Sequence, residues 1–414
     1  MKVLVHQHAH LGHHYQYVGH LLAALTRTSH DVVVAVTPAG RRSHEFESFV
    51  ARFEPSVRFE AILPEADPGY PFRERLRLHR DLRAAVEQFK PDHVLIPSGD
   101  GQATAMAFYT LAGLGAVPQR IPCEVGIHFG TGQAAASLKA RVRDRMNLLN
   151  LALSGAKRVH LVNLLFYEAA TSLGGLARQR FTLMPHPVSA STPTTKTQAR
   201  RTLGIPEDGR YIGLAASLDR RKAIAEFIAA FRDATHSGSS DRLLLAGWMH
   251  PDRADAIARD YRDLVDQGRL VLLTRFLEQG AFEAAIAAMD VVCTPYPGFA
   301  GLSATLLEGA AAGRPILANH FGWCRAIVRR FQLGWTCDVL NHSEFTGAIR
   351  QSLDRSADYV ASEATGRLLQ FHTPENFGAT WVESIGPGAA EPNARPLKWE
   401  WVEEAVPADR RRLY

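Results

Sequence analysis

The chain has 414 residues, of which 46% are hydrophobic and 21% are charged. These proportions are typical of a soluble globular protein with two or three domains, and they exclude a disordered, collagen-like or coiled-coil chain. The 47 Lys and Arg residues exceed the 42 Asp and Glu residues by five, which favours anionic ligands or an acidic membrane surface. No compact basic tract with interleaved aromatic residues occurs, so we expect no nucleic-acid partner.

The first half of the chain alternates short apolar strands with amphipathic helices. Helices are predicted at 15–28, at 71–90 and through Met106 and Leu111. Strands are predicted at 2–8, 31–36, 93–96, 124–128 and 159–162. This alternation predicts a parallel, doubly wound sheet.

Residues 184–196 are rich in Pro, Ser and Thr, which is typical of a linker. The strand–helix pattern then restarts, with strands predicted at 211–215, 243–246, 270–273, 291–294 and 315–318. We therefore predict an α/β protein with an N-terminal Rossmann-like domain at 1–187, a linker at 188–200, a C-terminal Rossmann-like domain at 201–372, and a helix and tail at 373–414 that can cross back to the first domain. Two doubly wound domains of this kind would face each other across a ligand-binding cleft.

The most informative segment is a glycine-rich loop that leads from a strand into a helix. Free backbone amides at such a helix start suit a diphosphate, and Glu308, one to two turns into the helix, suits a pair of ribose hydroxyls. The alternative is a plain crossover with a surface Glu. The candidate donor-binding residues of this segment are Gly301, Leu302, Ser303, Ala304, Thr305 and Glu308.

This segment resembles retaining GT-B glycosyltransferases of glycosyltransferase family 4. Their signature has two Glu residues eight positions apart, and Glu308 matches the second while Ala300 stands at the first. Upstream, the segment ASLDRRKA resembles the family's diphosphate-gripping Arg and Lys: Lys222 matches the Lys, and Ser217 stands at the Arg. Neighbouring Arg220 and Arg221 are near enough to substitute for that Arg. The alternative for Lys222 is a lysine on a solvated face.

The resemblance covers nearly all of residues 1–372 and implies transfer of a sugar from a nucleotide-sugar donor to a hydroxyl acceptor with retention of configuration. The acceptor class is open: a glycan, a lipid-linked molecule or a small molecule. The chemistry implied needs no metal and no cofactor. The candidate catalytic residues are Lys222, His128 and Arg220, and the candidate acceptor-binding residues are His13 and Asp100. Besides the glycine-rich segment, the candidate donor-binding residues are Gly12, Ser217, Arg221, Arg275 and Phe276.

The N-terminal candidates each have a second interpretation. The loop with Gly12 and His13 lacks GxGxxG, which argues against a nicotinamide dehydrogenase. His128 ends a strand where its imidazole could donate a hydrogen bond to a sugar hydroxyl, or it is a strand-end His satisfied within the protein. Asp100, in a strand-to-helix loop, is either an acceptor ligand or a helix cap.

Eight of the 18 histidines precede residue 45. They could indicate a metal site, but no Cys or carboxylate cluster accompanies them, and we favour polar residues that line a sugar cleft. The four cysteines are far apart, and the N-terminus lacks a secretory h-region, so we expect a reducing, cytoplasmic location. The basic helix at 71–90 and the cluster at 139–145 could contact the inner face of a membrane, or they are solvated faces.

Two functions of different class remain open at this level. The first is the retaining transferase. The second is a degenerate GT-B subunit that binds nucleotide or glycan and scaffolds a partner, which Ser217 and Ala300 favour and Lys222 and Glu308 oppose. A GT-B-like epimerase has no motif of its own in the sequence.

Overall fold

The computed structural model describes residues 1–10, 13–65, 72–100, 102–118, 120–128, 138–188, 194–236, 238–385 and 396–407. The chain forms two compact units. The first contains Met1–Pro187 and His372–Leu397, and the second contains Val188–Phe371 and the residues from Lys398 onward. None of the described helices combines the length and the apolar character that crossing a bilayer requires.

The first 187 residues supply seven strands: β1 (Lys2–His6), β2 (Asp31–Ala35), β3 (Arg58–Glu60), β4 (His93–Ile96), β5 (Cys123–Ile127), β6 (Arg158–Leu161) and β7 (Phe181–Leu183). The helices described in the same part of the chain are α1 (His14–Leu25), α2 (Pro38–Arg41), α3 (His44–Phe49), α4 (Phe72–Phe89), α5 (Ala103–Leu111), α6 (Leu138–Leu153), α7 (Leu164–Thr171) and α8 (Gly175–Arg180).

The rest of the chain supplies six strands: β8 (Tyr211–Ala215), β9 (Arg242–Ala246), β10 (Leu270–Leu273), β11 (Val291–Thr294), β12 (Ile316–Asn319) and β13 (Gly334–Cys337). Its described helices are α9 (Lys196–Leu203), α10 (Ile224–Ala234), α11 (Pro251–Asp260), α12 (Arg262–Asp266), α13 (Gln279–Ala288), α14 (Ala304–Ala311), α15 (Gly322–Phe331), α16 (His342–Arg355), α17 (Glu363–Phe371), α18 (Pro374–Val382) and α19 (Trp399–Glu404).

Each unit is built on one parallel sheet. The strand order is β3-β2-β1-β4-β5-β6-β7 in the first unit and β10-β9-β8-β11-β12-β13 in the second. In each sheet the chain moves outward on one side and then returns to the centre to build the other side. The order therefore reverses between β1 and β4 and between β8 and β11, and ligands of open α/β sheets bind at such switch points. The prediction of doubly wound α/β sheets is confirmed.

The predicted amphipathic helix at 71–90 is α4, and its apolar face belongs to the core of the first unit. Leu78, Leu82, Ala85, Val86 and Phe89 are all buried. Because this face packs against the sheet, α4 has only its polar face left for solvent.

Helix α18 follows the second sheet in sequence but packs in the first unit. Tyr17 of α1 stacks on Phe377 of α18 at 5.5 Å between ring centroids. A Cβ at Gly378 would lie 2.6 Å from the Cβ of Ala24, so glycine permits the close approach of the two helices.

The structure corrects two boundaries of the expected domain division. The predicted linker at 188–200 already contains the start of α9, whose Arg200 is buried and donates to the Asp290 carboxylate at 2.8 Å. The predicted tail at 373–414 is divided, because α18 lies in the first unit while Trp399 of α19 packs on Phe331 and Phe371 of the second. Buried aromatic contacts fix each segment on its own unit.

Candidate functional site

The carboxyl end of β8 carries the first group of candidates. The strand runs into Ala216 and Ser217, and the amide of Leu218 donates to the Trp248 carbonyl at 2.8 Å. Gly247, at the end of neighbouring β9, has φ +125°, and a Cβ there would lie 1.9 Å from the Ala216 carbonyl oxygen. Glycine thus lets the two strand ends approach each other.

Lys222 is the last residue of a short 3-10 turn, Arg220–Lys222, and its side chain is folded inward. Its Nζ donates to the Ser217 carbonyl at 2.5 Å and to the Asp219 carboxylate at 3.2 Å, and only 12% of the side chain is exposed. Burial lowers the pKa of Lys222, and the Asp219 carboxylate opposes that effect. The interpretation of Lys222 as a lysine on a solvated face is therefore wrong.

Asp219 holds the turn together. It accepts from the Arg221 amide at 2.9 Å, and its carboxylate pairs with the Arg221 guanidinium through Nη2 at 2.7 Å and Nε at 3.1 Å. The hydrogen bonds from Arg221 hold the pKa of Asp219 well below its usual range. Arg220 and Ser217 are exposed beside this pair. With one carboxylate and three cations, the turn has a net charge of about +2 at neutral pH.

The N-terminus of α14 lies next to this turn across the switch point. The Thr305 hydroxyl donates to the Ala215 carbonyl at 2.9 Å, which ties α14 to the end of β8. Ser303 is the N-cap and accepts from the Leu306 amide at 3.3 Å. The Tyr296 hydroxyl, which is buried, hydrogen-bonds to Thr305 and Ser303.

Tyr296 links the lysine to the helix start. Lys222 Nζ lies 5.4 Å from the centroid of the Tyr296 ring, within the range of a cation–π contact. The structure therefore brings together Lys222, Ser303 and Thr305, which the sequence predicted, around a tyrosine that it did not. Ala304, Gly301 and Leu302 belong to the same loop and first turn, and all three residues are partly exposed.

Glu308 lies one turn further along α14 and is half-buried. Burial, with a further contribution from the Glu283 carboxylate on α13, raises the pKa of Glu308 to about 7. Among the described residues, its carboxylate makes no hydrogen bond or ion pair. A carboxylate in this state has its oxygens available for the hydroxyl groups of a ligand.

Arg275 and Phe276 follow β10, two strands away from β8. Both are exposed, Phe276 at 69%. They lie at the approach to α13, the helix that carries Glu283. No described contact joins them to Lys222 or Glu308. Ala300, where the family signature has a Glu, is buried at 5% exposure and presents only a methyl group.

The N-terminal candidates converge on Tyr17 at the switch point of the first sheet. The Tyr17 hydroxyl and His186 Nδ1 share a hydrogen bond of 2.5 Å, and the His186 amide donates to His372 Nδ1 at 2.9 Å. The His128 ring lies 4.7 Å from the Tyr17 ring. His13 is exposed, and its ring lies 6.3 Å from that of His186. Gly12 lies outside the described residues.

His128 and Asp100 interact in a way that the sequence did not predict. The Asp100 carboxylate accepts from the His128 amide at 3.1 and 3.2 Å, and helix α5 has Gln102 as its N-cap, without a side-chain cap. The structure places Gln102, and not Asp100, at the N-cap position of α5. His128 Nε2 donates to the Pro97 carbonyl at 2.8 Å. Nδ1 is therefore the ring nitrogen of His128 that is left for a ligand hydroxyl.

Three other early histidines, His6, His8 and His14, have polar hydrogen-bond partners. Gln102 donates to His8 Nδ1 at 3.0 Å and to His6 Nδ1 at 3.4 Å, and His14 Nδ1 bonds with Ser98 Oγ at 2.7 Å. Burial lowers the pKa of His6 to about 4 and that of His8 and His14 to about 3. Within the described residues, no group of three His, Cys, Asp or Glu side chains could hold a metal ion.

Solved structures share this fold. HepE from Anabaena, in complex with UDP, is 15% identical, covers 93% of this chain and 99% of its own, and gives a TM-score of 0.65. Sucrose-phosphate synthase from Thermosynechococcus elongatus is 17% identical, with 93% and 98% coverage and a TM-score of 0.67. A UDP-GlcNAc 2-epimerase from Neisseria meningitidis bound to UDP-GlcNAc is 14% identical, with 93% and 99% coverage and a TM-score of 0.59.

Family models match both units. Residues 15–187 match the model described as glycosyl transferase 4-like domain, and residues 209–355 match the one described as glycosyl transferases group 1. The chain belongs to the GT-B glycosyltransferases. The sequence has no significant match among curated proteins. The predicted glycosyltransferase identity is confirmed, whereas membership of family 4 and retention of configuration stay predictions.

In this glycosyltransferase the switch point between β8 and β11 has the positive charge and the hydrogen-bond donors that an anionic ligand requires. Lys222, Arg220 and Arg221 supply cations, and the first turn of α14 supplies backbone amides with a positive helix-dipole end. Two residues that organise this site, Asp219 and Tyr296, were not among the candidates. Asp219 precedes Arg220-Arg221-Lys222 as an N-cap does, which is a signal the sequence contained.

Proposed function

We propose that this glycosyltransferase moves a sugar from a nucleotide-sugar donor to a hydroxyl acceptor with retention of configuration. The observation that carries the proposal is the convergence of Lys222 and the α14 N-terminus on Tyr296 at the switch point between β8 and β11. A nucleoside diphosphate is the leaving group that such a cationic, amide-rich site fits best.

The charges and the hydrogen-bond donors of the site determine how the nucleotide sugar binds. The α14 amides at Ser303, Ala304 and Thr305 bind diphosphate oxygens. Glu308 binds the ribose hydroxyls, one turn away, because a carboxylate accepts two hydrogen bonds from adjacent hydroxyls. HepE was solved with UDP and, in another structure, with UDP-glucose. A UDP-sugar is therefore the first donor to test.

Lys222 acts on the leaving group. As the bond between the anomeric carbon and the diphosphate oxygen breaks, negative charge grows on that oxygen, and a partly buried ammonium stabilises it more than it would in water. Lys222 is held in place by the Ser217 carbonyl and Asp219 before any donor binds. Arg220 is exposed and supplies the cation that Ser217 cannot.

The proposed transfer reaction requires neither a metal nor a cofactor. The acceptor hydroxyl oxygen forms a bond to the anomeric carbon on the face that the diphosphate leaves, and its proton passes to the departing phosphate oxygen. Because both steps occur on one face, the configuration is retained, and no nucleophilic carboxylate is required. In the first unit, Asp100, His13 and His128 Nδ1 are the groups proposed to meet the acceptor and the donor sugar.

The proposal is tested by adding UDP-, GDP- and ADP-sugars in turn to the purified protein. A thermal shift identifies the donor, release of the nucleoside diphosphate measures turnover, and NMR of the product gives the anomeric configuration. Lys222→Ala should lose turnover, and Lys157→Ala, at an exposed lysine of the first unit, is the matched control. Inverted product would refute retention.

A second function is favoured by the buried methyl group of Ala300, which leaves that position without a carboxylate for sugar hydroxyls. The chain would then bind a nucleotide sugar without transferring it and act as a scaffold. A thermal shift with UDP-sugars combined with no release of UDP and no product would support this function. A product isomerised within its sugar, still attached to UDP, would instead indicate an epimerase.

A further inference from the structure

Two neighbouring helices of the first unit expose a concentrated set of apolar side chains. On α6, Val142, Met146, Leu149 and Leu153 are 43–55% exposed, and their spacing of four, three and four residues places them along one helix face. On α5 and directly after it, Phe108, Leu111 and Leu114 are 54–68% exposed. These seven are half of the 14 large apolar side chains that are exposed in the described part of the chain.

The two helices lie side by side. The Thr110 hydroxyl of α5 donates to the Ser154 carbonyl at the end of α6, at 3.0 Å, so that their C-terminal ends meet. Both helices also have a separate core face: Leu148 and Leu151 of α6 and Met106 of α5 are buried. The exposed stripe therefore exceeds what packing on the sheet requires, and such patches mark interaction sites.

The charge around this stripe is one-sided. Helix α6 contains four Lys or Arg residues and one acidic residue, Asp144, a net charge of +3, and α5 contains no charged residue. The Asp144 side chain is buried. Arg143 and Arg145, between Val142 and Met146 on α6, are exposed.

We propose that this apolar–basic face of α5 and α6 binds the surface of an anionic lipid bilayer. The apolar side chains enter the boundary between headgroups and acyl chains, while Arg143 and Arg145 extend toward lipid phosphates. A second copy of the chain fits the face less well, because a two-fold interface would oppose two surfaces of the same positive charge. The basic residues of α4 are not part of this face, because the apolar face of α4 is already buried in the core.

Flotation with vesicles tests the proposal on the full chain. Vesicles of phosphatidylcholine with about 30% phosphatidylglycerol should bind the protein, phosphatidylcholine alone should bind it weakly, and about 0.5 M salt should reduce binding. Arg143→Ala combined with Arg145→Ala should lower the partition coefficient by about 25-fold, at about fivefold for each arginine. Leu149→Ser combined with Leu153→Ser should lower it at least about tenfold.

The matched control is Leu340→Ser combined with Val360→Ser. These apolar side chains of the second unit are 62% and 84% exposed, and their loss should leave binding unchanged. Thermal unfolding verifies that each variant is folded. As an independent measurement, Met146→Cys can be labelled with an environment-sensitive dye because the four native cysteines are buried, and its emission should shift to the blue on anionic vesicles.

Three results would overturn the proposal. The first is that the protein binds neutral and anionic vesicles equally well, or binds neither of them. The second is an equal loss of binding in the control variant. The third is a concentration-dependent dimer that the Leu149 and Leu153 substitutions abolish in a protein that binds no vesicles, which would assign the face to self-association.

Discussion

Replacing Glu308 by Gln should stabilise the protein at alkaline pH. The carboxyl group is half-buried on α14 near Glu283, and these surroundings raise its pKa from 4.5 to about 7. The folded state therefore holds a proton that the unfolded chain releases at lower pH. The contribution of this group to stability is fully present below the unfolded pKa and is lost as the pH rises through the folded value.

The size of the effect follows from the shift. A difference of about 2.5 pKa units corresponds to a destabilisation of about 3 kcal/mol at pH 8 and of less than about 1 kcal/mol at pH 5. Gln has nearly the same volume and no charge, so Glu308→Gln removes this cost. For a unit of this size the gain at pH 8 corresponds to an increase of about 6–12 °C in the unfolding temperature of the second unit.

Urea unfolding and calorimetry at pH 5 and pH 8 measure the effect, with exposed Glu226→Gln on α10 as the control. The stabilisation of Glu308→Gln over the wild type should grow with pH, while the control should show no such growth. If Glu308→Gln gains nothing at pH 8, the carboxyl group is not held at a raised pKa. The same variant should bind the donor about 1.5–3 kcal/mol more weakly. Unchanged donor affinity in a folded variant would refute the ribose role.

Further predictions concern the cationic turn, metals and the core of the first sheet. Lys222→Ala should lower turnover about 10²–10³-fold, more than it weakens donor binding, because the charge that it meets grows in the transition state. Full turnover in steady-state assays of this variant would disprove the diphosphate site. Arg220→Ala should cause a similar loss and Arg221→Ala almost none, because the Arg221 guanidinium is already paired with Asp219. Transfer should survive EDTA, because the turn and the helix amides neutralise the diphosphate, and restoration of lost activity by magnesium would contradict this. Burial would raise the pKa of Glu124, but hydrogen bonds from His160 and His93 outweigh it and lower that pKa to about 2. The carboxylate thus contributes stability above about pH 4.5 that is lost as the pH falls. Glu124→Ala should cost about 3–5 kcal/mol in urea unfolding at pH 7, and a loss below about 1 kcal/mol would argue against the buried hydrogen bonds of Glu124 with His93 and His160.

The sequence identified the central strands of both sheets because each is a short, nearly continuous apolar run, as strands buried on both faces must be. It did not identify β3, β7 or β13. These are outer strands of only three or four residues, and most side chains of β3 and β13 are partly exposed, so length and hydrophobicity distinguish them poorly from loops. Nor did it show that α19 lies in the second unit, since an amphipathic hexapeptide can pack on any apolar surface near it.

At the site, the sequence by itself determined which residues carry charge and where the helix start lies. Lys222, Ser303, Thr305 and Glu308 follow from the order of strand, loop and helix, and the family models extend over the same segments. Only the tertiary structure decided the state of each group. Asp219 holds Lys222 inward, burial and secondarily Glu283 raise the pKa of Glu308, and the Pro97 carbonyl accepts from Nε2 of His128. Burial and partner geometry set these properties, and both arise from segments that lie far apart in the chain or from side-chain rotamers that no local pattern encodes.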